Sequence, residues 1–305
     1  MSSEMMMVFT DAEANEESMN SQNIIRRSIM HRISLSMRIL TVFVVLASII
    51  SYSSSVLAQT PPKITDIGIE QPKTILYVGN SFFYFNNSMH QYVSGLITAA
   101  DPGNRNKYRS TSITISGGGL NWHDVESYFK PGGVGSYSFV GDNEIVFNKF
   151  DKPFDVVIMN DCSQCPIHPQ LKSLFHEYSR KHCQTAVKHG AKPALFMTWA
   201  YADKPEMTSQ LAEQYTIAGN ENDALVIPAG LAFAKALSKD PQIVLYNKDK
   251  RHPSLLGTYL AACTIYASLY KKSPVGITYT GGISANTARF LQEIAWETVR
   301  EYYGK

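Results

Sequence analysis

Along the chain, short unbroken apolar runs alternate with longer stretches in which apolar residues recur every three or four positions. The runs Thr74–Val78, Ser112–Ser116, Val156–Met159, Ala194–Thr198 and Ala224–Ile227 predict five strands. Continuous rather than alternating hydrophobicity is the mark of strands covered on both faces. Helical spacing predicts a helix over Ser88–Ala99, with Met89, Tyr92, Val93, Leu96 and Ile97 on one face, and another over Leu171–His189, stopped by Gly190 and Pro193. The same spacing predicts helices over Met207–Ala218, Leu231–Leu237, Ser254–Tyr270 and Ala285–Tyr303. Repeated strand–helix units of this kind imply an α/β domain, a three-layer α/β/α sandwich around a central five-stranded parallel sheet. Ligands gather at the carboxyl ends of such strands. Gly79-Asn80-Ser81, Gly117–Gly119 and Asn160-Asp161 each follow a strand and therefore share one rim. The Gly- and Ser-rich segment from Pro131 to Asp142, continuing to Phe154, is the long irregular insertion and reads as a hairpin flanking the site.

Ahead of the first strand the pattern changes. Arg26, Arg27, Arg32 and Arg38 precede an apolar run from Ile39 to Ile50, then small polar residues and Val56-Leu57-Ala58-Gln59. That order predicts a secretory signal peptide cleaved after Ala58. The run is shorter than the roughly 20 residues a spanning helix needs, so no stable membrane span is expected. Residues 1–58 thus read as an N-terminal extension and leader, with Met30 or Met37 as alternative starts, 59–73 as a short linker and 74–305 as a single domain. The mature chain is expected outside the cytoplasm, periplasmic or extracellular.

Composition fits one globular domain: 305 residues, 44% hydrophobic and 11% aromatic. Of 28 Lys+Arg and 26 Asp+Glu, residues 1–58 carry four and five, which leaves 24 against 21 and a net charge near +3. So even a balance, with no basic stripe, speaks against a nucleic-acid partner. Oligomeric state has no signature in the pattern. Of the cysteines, Cys162 and Cys165 have the spacing of a redox pair, but Pro166 and Pro169 follow; a structural disulfide or buried thiols is the favoured reading for these two, Cys183 and Cys263. His168, His176, His182 and His189 lack metal-ligand spacing and read as a solvated helix face, so neither metal nor cofactor is expected.

Candidate chemistry lies at two distant places. Val78-Gly79-Asn80-Ser81-Phe82 puts a serine where a strand hands over to a helix, although serine at a helix start is commonly only a cap. Asn247-Lys248-Asp249-Lys250-Arg251-His252-Pro253-Ser254 offers an imidazole with a carboxylate three positions before it and a proline behind. A serine hydroxyl is a weak nucleophile; it needs an imidazole to take its proton and a carboxylate to hold that imidazole's tautomer. Trp122, with His123 and Asp124, and the aromatics Tyr84, Phe85, Trp199 and Tyr201 stand past strand ends, where they either line a substrate cleft or pack in the core.

These residues resemble the SGNH/GDSL hydrolase superfamily of serine esterases and lipases, over essentially all of the mature chain. The match at Gly79-Asn80-Ser81-Phe82 has Asn for the usual Asp, and that at Ile158-Met159-Asn160-Asp161 has Ile158 for the usual Gly. Asp249 and His252 match the last block, within a stretch from Arg251 to Ala262 similar to a bacterial exported subgroup. The resemblance implies a flavodoxin-like fold, catalytic Ser81, Asp249 and His252, and an oxyanion hole from Ser81, Gly118 and Asn160. It also implies hydrolysis of a carboxylic ester through an acyl-enzyme, without metal. A short acyl or acetyl group on a carbohydrate is the favoured substrate, so the expected partner is an ester, an acylated glycan foremost. The alternatives are a lipase or lysophospholipase-type hydrolase, or a non-catalytic glycan-binding module.

Overall fold

The computed structural model describes residues 60–134, 137–150 and 152–304. The leader and its cleavage point lie outside them. Five parallel strands form the central sheet: β1 (Thr74–Gly79), β2 (Arg109–Thr114), β5 (Val156–Met159), β6 (Lys192–Phe196) and β7 (Leu225–Ile227), in the order β2-β1-β5-β6-β7. Side chains along β1, β5, β6 and β7 alternate between two separate cores. Ile75, Tyr77, Val156, Ile158, Ala194, Phe196, Leu225 and Ile227 enter one; Leu76, Val78, Val157, Met159, Leu195 and Val226 enter the other. This two-sided burial is why those strands have no polar face to show in the sequence.

Helices α2 (Met89–Ala100), α6 (Ala229–Lys239), α7 (Leu255–Tyr270) and α8 (Ala285–Tyr302) cover the first face. The short α3 (Val125–Tyr128), with α4 (Lys172–Lys188) and α5 (Met207–Glu221), covers the second. The arrangement is the three-layer sandwich that the alternation of runs predicts. Helix α7 is apolar all round and buried from Gly257 to Tyr270, packed between α2, α6, α8 and the sheet. Ser254 caps it, its hydroxyl accepting from the Gly257 N–H at 3.2 Å. Among the described residues, no helix is long and apolar enough to cross a membrane.

The edge strand β2 begins and ends earlier than its apolar run suggests. All six of its residues are half-buried, so Arg109, Ser110 and Ser112 serve in a strand without contributing to a hydrophobic signal. Beyond it Ile115 donates to the Gly79 carbonyl and starts the glycine turn. The insertion does form an antiparallel hairpin, β3 (Tyr137–Gly141) with β4 (Glu144–Phe147). It does not flank the rim. At its root Phe150, Pro153 and Phe154 pack on Arg109 at the amino ends of the strands: the guanidinium lies 4.1 Å over the Phe150 ring and donates to the Pro153 carbonyl at 2.5 Å.

Candidate active site

The β1 strand ends at Gly79, and Asn80 caps the one-turn helix α1 (Ser81–Tyr84), its Oδ1 accepting from the Phe82 N–H at 3.2 Å. The Asn80 side chain is saturated: its amide nitrogen donates to the carbonyls of Gly118 at 2.9 Å and Asp161 at 3.1 Å, and Oδ1 also accepts from the Asn160 amide at 3.2 Å. One buried amide therefore joins the rim loops after β1, β2 and β5. An Asp in this place would turn acceptor oxygens toward two carbonyls, which gives a local reason for Asn here.

Ser81 and His252 meet across 171 positions, with Nε2 of the imidazole 2.8 Å from the serine Oγ. On the far side of the ring, Nδ1 bonds the Asp249 carboxylate, whose Oδ1 also accepts the N–H groups of Arg251 and His252 at 3.0 Å each. Partial burial pushes the Asp249 carboxyl up, but the His252 ring and these two amides outweigh it and hold it below the usual carboxylate range. The loop turns through Lys250, at φ 63°, and its Lys250 carbonyl accepts from the Ala202 N–H at 2.9 Å. Phe85 stacks flat on the imidazole, ring centres 4.1 Å apart at 8°, and fixes the ring plane.

The remaining candidate residues divide. Trp199 is fully buried, stacked on Phe233 at 4.1 Å and edge-on to Phe82, so direct contact with substrate is corrected to a supporting place in the core; its indole N–H holds the Arg251 carbonyl at 2.9 Å. Tyr201 is also buried, its hydroxyl 2.6 Å from the Ser163 Oγ and its ring 4.8 Å under the Arg251 guanidinium. Trp122 stands 60% exposed rather than packed in the core. Gly118 uses its N–H to close a turn on the Ile115 carbonyl at 3.0 Å, whereas the N–H groups of Gly117 and Gly119 make no such bond. Asn160 is turned inward: its amide nitrogen donates to Asn80 Oδ1 and to the Asp161 carbonyl at 3.1 Å, and its Oδ1 faces Gly79, where a Cβ would stand 1.8 Å away. Gly79 is required for that contact. Ile158 lies within β5 as ordinary core, paired with Tyr77 and Ala194.

Histidines do unforeseen structural work. His123 is buried, bonding the Gly79 carbonyl through Nε2 at 2.9 Å and the Tyr128 hydroxyl through Nδ1 at 3.1 Å; burial pushes its pKa down, so the neutral ring donates to Gly79. His182 is likewise buried, not on a solvated face: Nε2 bonds the Leu120 carbonyl at 2.9 Å, and burial pushes its pKa down to about 4. Spacing could have found it, since Phe175, Ser179, His182, Cys183 and Ala186 line the inner side of α4. His176 and His189 bond Glu221 and Glu126 instead. Asp161 accepts the N–H groups of Leu120 and Cys162, yet burial dominates and pushes its carboxyl up to about 6. Cys162 and Cys165 form a disulfide beside it; Cys183 and Cys263 are free and buried. Asn86, after α1, is a further site residue; the Asn-Asn-Ser run at 86–88 signals left-handed backbone, and all three residues adopt it.

No protein-family model matches the chain, and no curated protein matches it. Among solved structures it is similar to a candidate GDSL-like lipase from Parabacteroides merdae, at 12% identity over 68% of this chain and 99% of that one, TM-score 0.50. It is also similar to a candidate SGNH hydrolase from Slackia heliotrinireducens (20% identity, 65% and 99% covered, TM-score 0.47) and to an acetyl xylan esterase from Geobacillus stearothermophilus (15% identity, 68% and 96% covered, TM-score 0.46). At these identities the likeness concerns architecture, and the chain has the SGNH hydrolase fold.

Proposed function

We propose that this chain is a serine esterase that cleaves a carboxylic ester through an acyl-enzyme. The observation that carries the reading is the continuous relay from the Ser81 Oγ through His252 to Asp249. In the proposed first step His252 Nε2 takes the hydroxyl proton while Oγ bonds the ester carbon, and the carbonyl oxygen becomes an oxyanion. Among the described residues the backbone N–H groups of Ser81 and Gly119 have no protein partner. We assign them as oxyanion donors, each worth about 100- to 1000-fold in rate. The tetrahedral intermediate then collapses, His252 returns the proton to the leaving alcohol, and water, deprotonated by the same imidazole, hydrolyses the acyl-enzyme.

Exposed Trp122, whose backbone N–H bonds the Gly119 carbonyl at 3.0 Å beside the proposed oxyanion donor, is a platform for a sugar ring and supports a carbohydrate alcohol with a short acyl or acetyl group over a lipid. The leader pattern and the Cys162–Cys165 disulfide support export to an oxidising compartment. A fluorophosphonate probe should label Ser81 in the purified protein, and Ser81→Ala and His252→Ala should abolish both labelling and hydrolysis of p-nitrophenyl acetate. Labelling elsewhere, or activity surviving in Ser81→Ala, sinks the reading. A panel running from acetyl to palmitoyl esters and including acetylated xylan then separates glycan from lipid substrates.

A further inference from the structure

We propose that the β3–β4 hairpin is a self-association surface on which a second copy of this chain docks face to face. Its register pairs Tyr137 with Phe147 and Phe139 with Ile145. Directly paired residues share a face of the ladder, so one face carries three aromatic rings and an isoleucine, while Ser138 and Val146 point to the other. Tyr137 packs edge-on against Phe139 at 5.7 Å and Phe147 at 6.4 Å, yet all four apolar residues remain between 48% and 74% exposed. A lone two-stranded hairpin is marginal in water. Among the described residues this one joins no other strand and buries neither face. From ordinary aromatic side-chain areas, the open face amounts to on the order of 400 Å² per copy. Two such faces, with the adjoining root, approach the lower end of specific interfaces, about 1,200 Å² in total, which implies a weak and reversible dimer.

Charge selects the occupant. The turn at the tip is acidic, with exposed Asp142, while Glu144 lies in the ladder on the Val146 face; the root is basic, where exposed Lys130 and Lys149 line a cavity with Gly132 and Phe150. Neither Asp142 nor either lysine forms an ion pair among the described residues. A two-fold axis across the strands lays one hairpin antiparallel on the other and sets each acidic tip over the other copy's basic root. The same acidic tip opposes insertion into an anionic lipid surface. The apolar face offers a glycan only the Tyr137 hydroxyl for hydrogen bonding.

Sedimentation equilibrium of the purified protein, from micromolar to near-millimolar and at low and high salt, tests this. A monomer–dimer equilibrium that weakens with salt is expected. Phe139→Asp should raise the dissociation constant at least about tenfold, the cost of losing one central apolar contact, with the melting temperature unchanged because that side chain faces solvent. Asp142→Lys should also weaken the dimer, and adding Lys130→Glu with Lys149→Glu should restore it. A monomer at every concentration, a dimer indifferent to Phe139→Asp, or a charge swap that fails to restore it overturns the proposal. So does a monomer that binds phosphatidylcholine–phosphatidylglycerol vesicles through Phe139, which would assign the face to lipid.

Discussion

The Asn86 side-chain amide donates to the Pro253 carbonyl at 2.9 Å and to the Thr258 hydroxyl at 2.8 Å, and so ties the turn bearing Ser81 to the loop bearing His252. The tie is made from constrained backbone, because Asn86, Asn87 and Ser88 hold φ at 54°, 64° and 72°. Asn tolerates that region better than most residues, and Gly tolerates it best. Asn86→Ala should lower kcat about tenfold, the scale of one lost hydrogen-bonded tie, and should also lower the melting temperature. Asn86→Gly should lose the same kcat but keep more of the stability. Steady-state kinetics on a short acyl ester, alongside thermal melts, separate the two effects; an unchanged kcat in both variants would remove Asn86 from the positioning of the pair.

Asn80→Asp changes one atom yet turns a donor into an acceptor opposite two carbonyls. Leaving those buried contacts repulsive should cost about 2–4 kcal/mol at neutral pH. As the pH falls the new carboxyl can protonate and supply one donor. The melting-temperature gap to the wild type should therefore narrow on acidification. A gap that stays constant or widens contradicts the hub role given to this amide.

Gly79→Ala would place a Cβ 1.8 Å from the Asn160 Oδ1 and 2.9 Å from the Phe83 ring. Overpacking of this kind typically costs about 1–3 kcal/mol. Removing the obstructing amide with Asn160→Ala in the same chain should recover part of the loss. The two substitutions should then be non-additive in urea unfolding, whereas strictly additive effects would mean the two residues do not meet.

Acid stability should report two buried groups of opposite sign. His182 titrates near 4 in the fold against an ordinary 6.5. Between those values the unfolded chain binds the extra proton, so the stabilising contribution is present above pH 6.5 and lost as pH falls through 4, about 3 kcal/mol in all. Asp161 titrates near 6 in the fold against 3.8. Here the folded chain binds the extra proton, so stability falls as pH rises from 3.8 through 6, by a similar amount. The two slopes oppose each other between pH 4 and 6 and should leave a shallow profile. Asp161→Asn should expose a steep acid loss, and His182→Gln should give a protein whose melting temperature rises on acidification; the same profile in all three would refute both assignments.

The fold was legible where burial is two-sided. Runs such as Val156–Met159 have no polar residues to confuse the period, and the observed strand has those bounds. Legibility failed at β2, where a half-buried edge strand is built from Arg, Ser and Thr. The same holds for His182, whose polarity argues for a solvated face while its place among Phe175, Cys183 and Ala186 buries it. Ser81, His252 and Asp249 come together as their local contexts suggest, since a strand end fixes the first and a short loop fixes the other two. The backbone donors proposed for an oxyanion are less readable. Whether Gly118 or Gly119 keeps a free N–H depends on a turn closed by Ile115, and the inward turn of Asn160 depends on the hub at Asn80; neither is encoded by spacing. Whether Trp199 lines a cleft or packs in the core is equally unreadable, because position past a strand end says nothing about depth.

The unbroken burial of α7 bears on how this molecule would fail. His252 stands two residues before the cap Ser254, behind which every residue from Gly257 to Tyr270 is sealed from solvent, while Lys248 to Arg251 lie open. Amide protons in α7 can exchange with water only when the domain opens as a whole, whereas those of the loop ahead of it exchange from the native state. The imidazole is thus moored on one side to the slowest-exchanging backbone and on the other to Asp249 in the open loop. Substitution of exposed Lys248 should leave the imidazole in place, whereas loss of Asp249 from the same loop removes its partner; heat should extinguish the relay only as the domain itself melts.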